Sequence, residues 1–253
     1  MKSHRLIRWI LILTTAAGVG HTALGAEAAE TTPAITVASY YFGQYHPNDP
    51  RNEKTKSKGW SEWELVKAAK PRFPGHPQPK VPLWGYQDES DPQVMAQKIA
   101  AAADHGIDAF IFDWYHYDDG PFLDRPIDEG FLKATNNHRI KFAFMWANHD
   151  WIKNLFPYKK GDPQTVLYPG KVTPATFDNI CDHVIQDYFS HPSYWKIDGK
   201  PYFSSGYPFT NTIKDNTPEQ FRTALALAKR RLLAQKNGPR ILNINCWNEW
   251  TEG

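Results

Sequence analysis

The chain has 253 residues, and its 29 basic and 27 acidic residues give a formal net charge of +2. This balance argues against a nucleic-acid partner, which would need a strongly basic surface. Two cysteines, Cys181 and Cys246, are too few for a disulfide-rich scaffold, and the sequence leaves open whether they pair. The length is sufficient for one large domain with a sizeable core.

The N-terminus has the pattern of a secretory signal peptide. Three basic residues within the first eight positions precede an apolar stretch over residues 9–19, and small residues follow at 23–26. We therefore predict that residues 1–26 are removed on export and that the mature protein is secreted or periplasmic, with no stable membrane span. An uncleaved anchor is the alternative. Removal takes away three basic residues and no acid, which changes the net charge from +2 to −1.

Three helices have readable ends. The first is predicted over residues 91–106, with Gly106 as its stop signal, and the others over 173–189 and 217–238. Each begins with a residue type that caps a helix N-terminus and continues with proline, and these capping residues are Asp91, Thr173 and Thr217. The apolar positions recur at helical spacing, so each helix is expected to bury one face.

Five short apolar runs are predicted as strands, over residues 34–42, 107–115, 140–148, 200–207 and 241–249. Because strands alternate with helices, we expect βα units, a parallel sheet and an α/β fold of the (β/α)8 barrel type. Each run begins apolar and ends in aromatic, amide or acidic residues, at the strand end where barrel active sites lie. A doubly wound open sheet is the alternative, but no glycine-rich phosphate-binding pattern follows the first strand.

The connection over residues 43–90 is unusually long for a compact domain. It contains seven prolines and three tryptophans, a composition that is not typical of disorder. We interpret it as an elaborated first βα loop that lies over the mouth of the barrel.

The last predicted strand and the residues just after it contain the candidate catalytic residues. Strand alternation places four polar or aromatic residues on the face expected to line the barrel: Asn243, Asn245, Trp247 and Glu249. Glu252 can join Glu249 only if the backbone turns after Trp250, and Gly253 permits such a turn. Two converging carboxylates are what glycoside hydrolysis requires. The alternative is a pair of solvated glutamates in a surface turn.

Further candidate residues near predicted strand ends are assigned to substrate contact: Tyr41, His46, Trp63, Asp113, Trp114, Tyr115, Trp146, Asn148, Trp247 and Asn248. Asp113 and Tyr115 share one strand face, as do Trp146 and Asn148, so each pair is expected to reach the barrel interior. Tryptophan rings stack on sugars, although core packing uses them as well, and Asp113 would equally serve a structural ion pair. The histidines lack metal-binding spacing, so no metal and no cofactor are predicted.

Four segments carry a family resemblance: "WNEWTEG", "GWSEWELVKAAKPRFPGHPQP", "GIDAFIFDWYHY" and "FAFMWANHDW". They resemble the glycoside hydrolase family 99-like group, which includes WbsX-type glycosyltransferases and lipopolysaccharide biosynthesis proteins. The resemblance implies a (β/α)8 barrel that acts on a polysaccharide or glycan. In the endo-mannosidases of this group both glutamates of the N-E-W-x-E-G motif are catalytic, and they match Glu249 and Glu252. By this resemblance Glu249 is the base that deprotonates the sugar 2-hydroxyl, and Glu252 is the general acid.

The expected function is that of an exported, retaining glycoside hydrolase whose substrate is a mannoside-like polysaccharide. A WbsX-type glycosyltransferase of surface polysaccharide assembly is the alternative, disfavoured by the export signal, and a non-catalytic sugar-binding relative is a third. Only nine residues separate Tyr207 from Thr217, where the relatives have further βα units. We therefore expect the domain over residues 27–253 to be an incomplete barrel, truncated at its C-terminus.

Overall fold

The computed structural model describes residues 36–153, 161, 163, 165–206, 241–244 and 247–248. Several predictions concern residues outside these ranges: the signal peptide over 1–26, the helix over 217–238, Cys246, and the glutamates Glu249 and Glu252. They stay predictions.

All five predicted strands are present, although in the described residues the last is a strand only over Ile241–Ile244, and Trp247 and Asn248 lie beyond it. The strands within the described residues are β1 (Thr36–Phe42), β2 (Ala109–Tyr117), β3 (Gly120–Phe122), β4 (Lys141–Trp146), β5 (Trp151–Ile152), β6 (Val166–Tyr168), β7 (Lys196–Ile197), β8 (Lys200–Pro201), β9 (Phe203–Ser205) and β10 (Ile241–Ile244). Five of them form one parallel sheet in the order β10-β1-β2-β4-β9, and β3 pairs antiparallel with β2. Strands β5 and β6 form one small hairpin, and β7 and β8 another.

The order of the strands is that of a sheet wound in one direction. From β1 the chain steps to β2, then β4, then β9, and each new strand pairs with the one before it. Right-handed crossovers that all step the same way place the connecting helices on one face of the sheet, whereas a doubly wound sheet reverses direction and covers both faces. Strand β10 pairs with β1, as the last strand of a barrel does. An α/β fold of the barrel type is therefore confirmed, and in the described part of the chain the sheet does not close.

The two predicted helices within the described residues begin where Asp91 and Thr173 predict, and two short helices in the long connection were not predicted. They are α1 (Pro50–Thr55), α2 (Trp63–Ala68), α3 (Pro92–Asp104) and α4 (Pro174–His183), with π-helical turns at Pro126–Phe131 and Val184–Tyr188 and a 3-10 turn at Asn137–Arg139. The Asp91 carboxylate accepts the Gln93 amide hydrogen over 2.8 Å, and the Thr173 hydroxyl accepts that of Thr176 over 3.2 Å. None of the helices in these ranges is long and apolar enough to cross a membrane.

One face of the sheet is packed against helices. Phe112 lies 5.8 Å from Phe131, and Phe144 lies 4.8 Å from Tyr188, both measured between ring centroids. These partners belong to the π-helical turns, so the even-numbered residues of β2 and β4 form the helix-covered face. The opposite face, which we call the inner face, contains one residue in register from each of β1, β2, β4 and β9: Phe42, Asp113, Met145 and Ser204. The core is therefore concentrated on the helix-covered side.

Candidate active site

The inner face has a polar cluster near the carboxyl ends of its strands. Burial raises the pKa of the Tyr40 phenol, and the neighbouring Tyr202 and Asp113 raise it further. Asp113 and Ser204 are half-buried and lie at equivalent positions in the register of β2, β4 and β9. Sugar hydroxyls are bound by such groups, because phenols, hydroxyls and carboxylates supply both donors and acceptors.

Sequence reasoning selected Asp113 and missed Tyr40, Tyr202 and Ser204. Alternation places Tyr40 on the same strand face as Phe42, but only the pairing of β1 with β2 shows that this face also contains Asp113. Tyr202 and Ser204 follow a small hairpin, so their position depends on the pairing of β9 with β4.

Asn248 connects the end of β10 to the end of β1. Its side-chain oxygen accepts the Phe42 amide hydrogen over 2.9 Å, and its nitrogen donates to the Phe42 carbonyl over 2.7 Å. The same nitrogen lies 3.1 Å from each carboxylate oxygen of Glu89. The Lys98 ammonium group forms an ion pair with that carboxylate. We call Asn248, Glu89 and Lys98 the clasp.

The clasp is inaccessible to water. The side chain of Glu89 is fully buried, that of Lys98 is 6% exposed, and Asn248 is buried as well. The Asn248 carboxamide pairs with both backbone groups of Phe42, as the main chain of a neighbouring strand would. The Trp247 amide donates to the Tyr40 carbonyl over 2.8 Å, so Trp247 and Asn248 are both held against β1. Asn248, predicted as a substrate contact, is thus occupied by protein groups.

Four of the predicted aromatic contacts lie on the helix-covered face. Tyr41 packs between Phe110 and Phe112 at 5.0 and 4.7 Å, and Trp247 packs against Phe110 at 5.2 Å. Trp114 stacks on Phe144 at 5.6 Å, and Trp146 on Phe177 at 6.0 Å.

These positions correct the expectation that Trp146 and Trp247 line the barrel interior. They likewise place Tyr41 and Trp114 in the core. Alternation divides a strand into two sets of residues but does not say which set faces the helices. The large apolar rings occupy the drier layer, because burying their area there contributes most to stability.

The remaining candidates lie at the carboxyl edge. Tyr115 is buried and packs edge-on against Trp151 at 5.4 Å, and Asn148 is buried just beyond β4. His46 and Trp63 belong to the long connection between β1 and α3. The Trp63 indole donates to the Gln87 carbonyl over 2.7 Å, and His46 is fully buried with its Nδ1 atom 3.1 Å from the Pro47 carbonyl. The structure therefore brings Asp113 to the inner face, whereas His46 and Trp63 support the connection beside it.

The long connection is ordered by contacts with the segment that follows β2. Arg125 donates to the Pro47 carbonyl over 2.6 Å, and Arg51 forms an ion pair with Asp119 at 2.8 Å. A side chain added at Gly43 would lie 2.9 Å from the Leu123 carbonyl, so this position admits only glycine without a shift. The connection thus packs at the edge where the parallel strands end.

A second titratable cluster lies on the helix-covered face, at the carboxyl end of β2. Burial lowers the pKa of His116 to about 4 and raises that of Asp128 to about 6. Tyr188 donates a hydrogen bond to Asp128 over 2.8 Å. Despite these residues, the ranges that the structure describes contain no group of three or more histidine, cysteine or acidic side chains placed to hold a metal ion.

The fold and the polar inner face define a barrel-type α/β protein whose candidate site lies at the carboxyl edge of its sheet. The family model for "Glycosyltransferase WbsX" matches residues 37–208. The chain therefore belongs to the WbsX glycosyltransferase family, a family of carbohydrate-active enzymes.

Two sequence relatives are WxcX proteins from the B100 and ATCC 33913 strains of Xanthomonas campestris pv. campestris, which carry no assigned function. Each is 31% identical over 152 residues, which cover 60% of this chain and 21% of the relative. The aligned region thus spans about a fifth of the length of these relatives.

Among solved structures, the chain is similar to a GH99 endo-α-mannosidase from Bacteroides thetaiotaomicron. In its complex with bis-tris-propane, the identity is 15% and the TM-score 0.44, over 72% of this chain and 44% of that one. For a second structure of the enzyme, the identity is 15% and the TM-score 0.41, over 69% and 45% of the two chains.

Proposed function

We propose that the protein is an exported, retaining glycoside hydrolase that cleaves a mannoside-like polysaccharide or glycan with Glu249 and Glu252. The N-E-W-x-E-G motif supplies both carboxylates, and membership of a glycan-directed family supplies the substrate class. The polar inner face, with Tyr40, Asp113 and Ser204, provides hydroxyl and carboxylate groups for the sugar.

One structural observation carries the proposal. The clasp holds Asn248 against the carboxyl end of β1, and Glu249 is the next residue in the chain. In barrel enzymes this strand edge is where substrates react. The buried Asn248 amide is paired with the Phe42 backbone on one side and with the Glu89 carboxylate on the other. It therefore provides the rigid support that a catalytic group requires.

The two carboxylates have complementary roles in the proposed reaction. Glu249 removes the proton from the sugar 2-hydroxyl, whose oxygen then bonds to the anomeric carbon while the leaving-group bond breaks. Glu252 donates its proton to the departing oxygen. Water then opens the resulting 1,2-anhydro sugar: Glu252 takes a proton from water, and Glu249 returns a proton to the 2-oxygen. Two inversions at the anomeric carbon give net retention.

The test is hydrolysis of mannose-containing oligosaccharides by the purified full chain, followed by reducing-end release and by NMR of the new anomeric centre. We expect a product with retained configuration, and a loss of about 100-fold or more in kcat for Glu249→Gln and for Glu252→Gln. Asp104→Asn is the control, since Asp104 is an exposed acid at the end of α3, and it should leave the rate unchanged. Full activity of both glutamine variants would end the proposal.

A glycosyltransferase is the second candidate, because the matching family model is described by that activity. It predicts transfer to an acceptor glycan that depends on a nucleotide sugar, with release of the nucleotide. Incubation with nucleotide sugars and an acceptor separates the two reactions, since hydrolysis needs neither. Glycan binding without turnover in either assay would instead select a non-catalytic sugar-binding protein.

A further inference from the structure

The connection between β1 and α3 contains a segment with an unusual combination of side chains. Residues 67–86, which we call the basic tip, contain four lysine or arginine residues and no acid. They also contain four of the large hydrophobic side chains that are exposed in the described ranges: Phe73 at 62%, Val81 at 68%, Leu83 at 97% and Trp84 at 41%. Exposed apolar groups clustered within one segment mark an interaction surface.

The basic tip is shaped by its own contacts. The Phe73 ring stacks on His76 with 4.7 Å between centroids, and the His76 amide donates to the Phe73 carbonyl over 3.1 Å. A second turn is closed by the Gly85 amide, which donates to the Pro82 carbonyl over 2.9 Å. Five prolines further restrict the backbone. The exposed side chains are therefore presented in a fixed arrangement, which lowers the entropic cost of binding.

The basic tip is also anchored close to the candidate active site. Its last residue, Tyr86, packs 5.3 Å from the buried Trp63 ring, and Lys67 lies over the Tyr86 ring at 5.1 Å. Three residues after Tyr86 comes Glu89, a member of the clasp, whose amide donates to the Tyr45 carbonyl over 3.1 Å. Because the connection leaves β1 at its carboxyl end, a polymer bound to the basic tip would approach the inner face from that edge.

We propose that the basic tip binds an anionic polysaccharide, one with carboxylate-bearing sugars, and guides it to the inner face. Aromatic and apolar side chains such as Trp84 and Leu83 stack on sugar rings, and the ammonium and guanidinium groups of Lys80 and Arg72 pair with sugar carboxylates. Lys67 is paired with Glu64 at 2.8 Å, and a purely apolar protein partner would leave the other three cations of the tip without counter-charges. The inference rests on the proposed function, since it takes a glycan as the substrate.

The experiment compares two polymers that share one backbone: polygalacturonate and its carboxyl-reduced form, a neutral polygalactose. Binding to the intact full chain is measured by calorimetry, which requires no turnover. We expect polygalacturonate to bind at least about 10-fold more tightly at low salt, and this preference to shrink as salt screens the charges. Equal affinity for both polymers, or no binding of either, would overturn the proposal.

Variants then locate the binding surface. Arg72→Ala with Lys80→Ala should weaken polygalacturonate binding about 10-fold, and Trp84→Ala about 5-fold for either polymer. Lys133→Ala with Lys171→Ala is the matched control, because both lysines are exposed and lie on other connections. A similar loss in the control pair would contradict the inference. The inference would also be contradicted if sedimentation showed that the parent protein self-associates and that the Trp84→Ala variant is monomeric, because the tip would then bind a second copy of the chain.

The two proposals fail in different ways. If the glutamine variants at positions 249 and 252 keep full hydrolytic activity while the basic tip still binds polygalacturonate, only the proposed function falls. If hydrolysis depends on both glutamates but the tip variants bind polygalacturonate as the parent does, only the proposal that the basic tip binds the polysaccharide is refuted.

Discussion

Replacing Lys98 with methionine should destabilise the protein more than almost any other single change on α3. Lys98 is the cation that balances Glu89, and the two side chains are 6% and 0% exposed. Methionine preserves the length and apolar stem of the lysine but removes the charge. The Glu89 carboxylate then stays buried, with Asn248 as its remaining partner in the clasp.

The magnitude follows from the burial of the pair. Removing one partner of a buried ion pair costs roughly 3–5 kcal/mol, because the other charge stays in a medium of low dielectric constant. Domain stabilities are typically about 5–15 kcal/mol, so this is a large fraction of the total. For a domain of this size the melting temperature should fall by about 6–20 °C.

The double variant Lys98→Met with Glu89→Gln should recover most of the loss. Its glutamine oxygen still accepts a hydrogen bond from Asn248, and no charge is left in the core. Urea unfolding followed by tryptophan fluorescence measures each free energy, and an unchanged m-value shows that the denatured state is comparable. Arg139→Met serves as the matched control, since its ion pair with Asp104 is 37% and 59% exposed and should be worth less than about 1 kcal/mol.

Two outcomes would refute the reasoning about the clasp. A loss below about 1 kcal/mol for Lys98→Met would mean that the carboxylate is not held buried as a charge. A double variant whose loss equals the sum of the two single losses would mean that Glu89 and Lys98 are not coupled.

Three further predictions concern other parts of the chain. Asp128→Asn should raise stability above pH 6 by about 3 kcal/mol at most, because burial raises the pKa of Asp128 to about 6 from 3.8. The parent gains stability as the pH falls through 6, so the difference should vanish below about pH 4; a gain that persists in acid would contradict this. Gly130→Ala should destabilise the protein by about 1–3 kcal/mol in urea unfolding, since the new Cβ would lie 2.4 Å from the Glu89 carbonyl oxygen. Helix propensity alone predicts that alanine would raise the free energy of unfolding by about 1 kcal/mol. The sign of the measured change therefore shows whether the steric clash or the helix propensity dominates. Expression with the intact N-terminus in a secreting host should yield a protein that begins near residue 27, which intact mass measures. A protein that keeps residues 1–26 would instead favour the uncleaved membrane anchor.

Much of the fold was predictable because its signals are local. Asp91 and Thr173 cap their helices through hydrogen bonds to residues two or three positions away. The strands were predicted from runs of apolar residues, and all five are present. The alternation of strands with helices predicted a parallel α/β sheet but left a doubly wound sheet as the alternative, and the pairing of β10 with β1 could not be read from any local pattern.

The candidate site was less predictable. Asp113 was correctly assigned to the face away from the helices, whereas Trp146 was assigned to the wrong side. Alternation is a property of one strand, but the identity of each face depends on what packs against it. The role of Asn248 was missed because its partner Glu89 lies 159 residues earlier in the chain.

The sequence alone therefore determined the five strands of the main sheet, the caps of α3 and α4 and the carboxylate motif, since propensity, capping and motif spacing act over a few residues. The tertiary structure decided which rings became core and which polar groups face inward, and it joined Glu89, Lys98 and Asn248. Those outcomes depend on the burial of side chains from distant segments, where the cost of an unpaired charge or amide selects one arrangement.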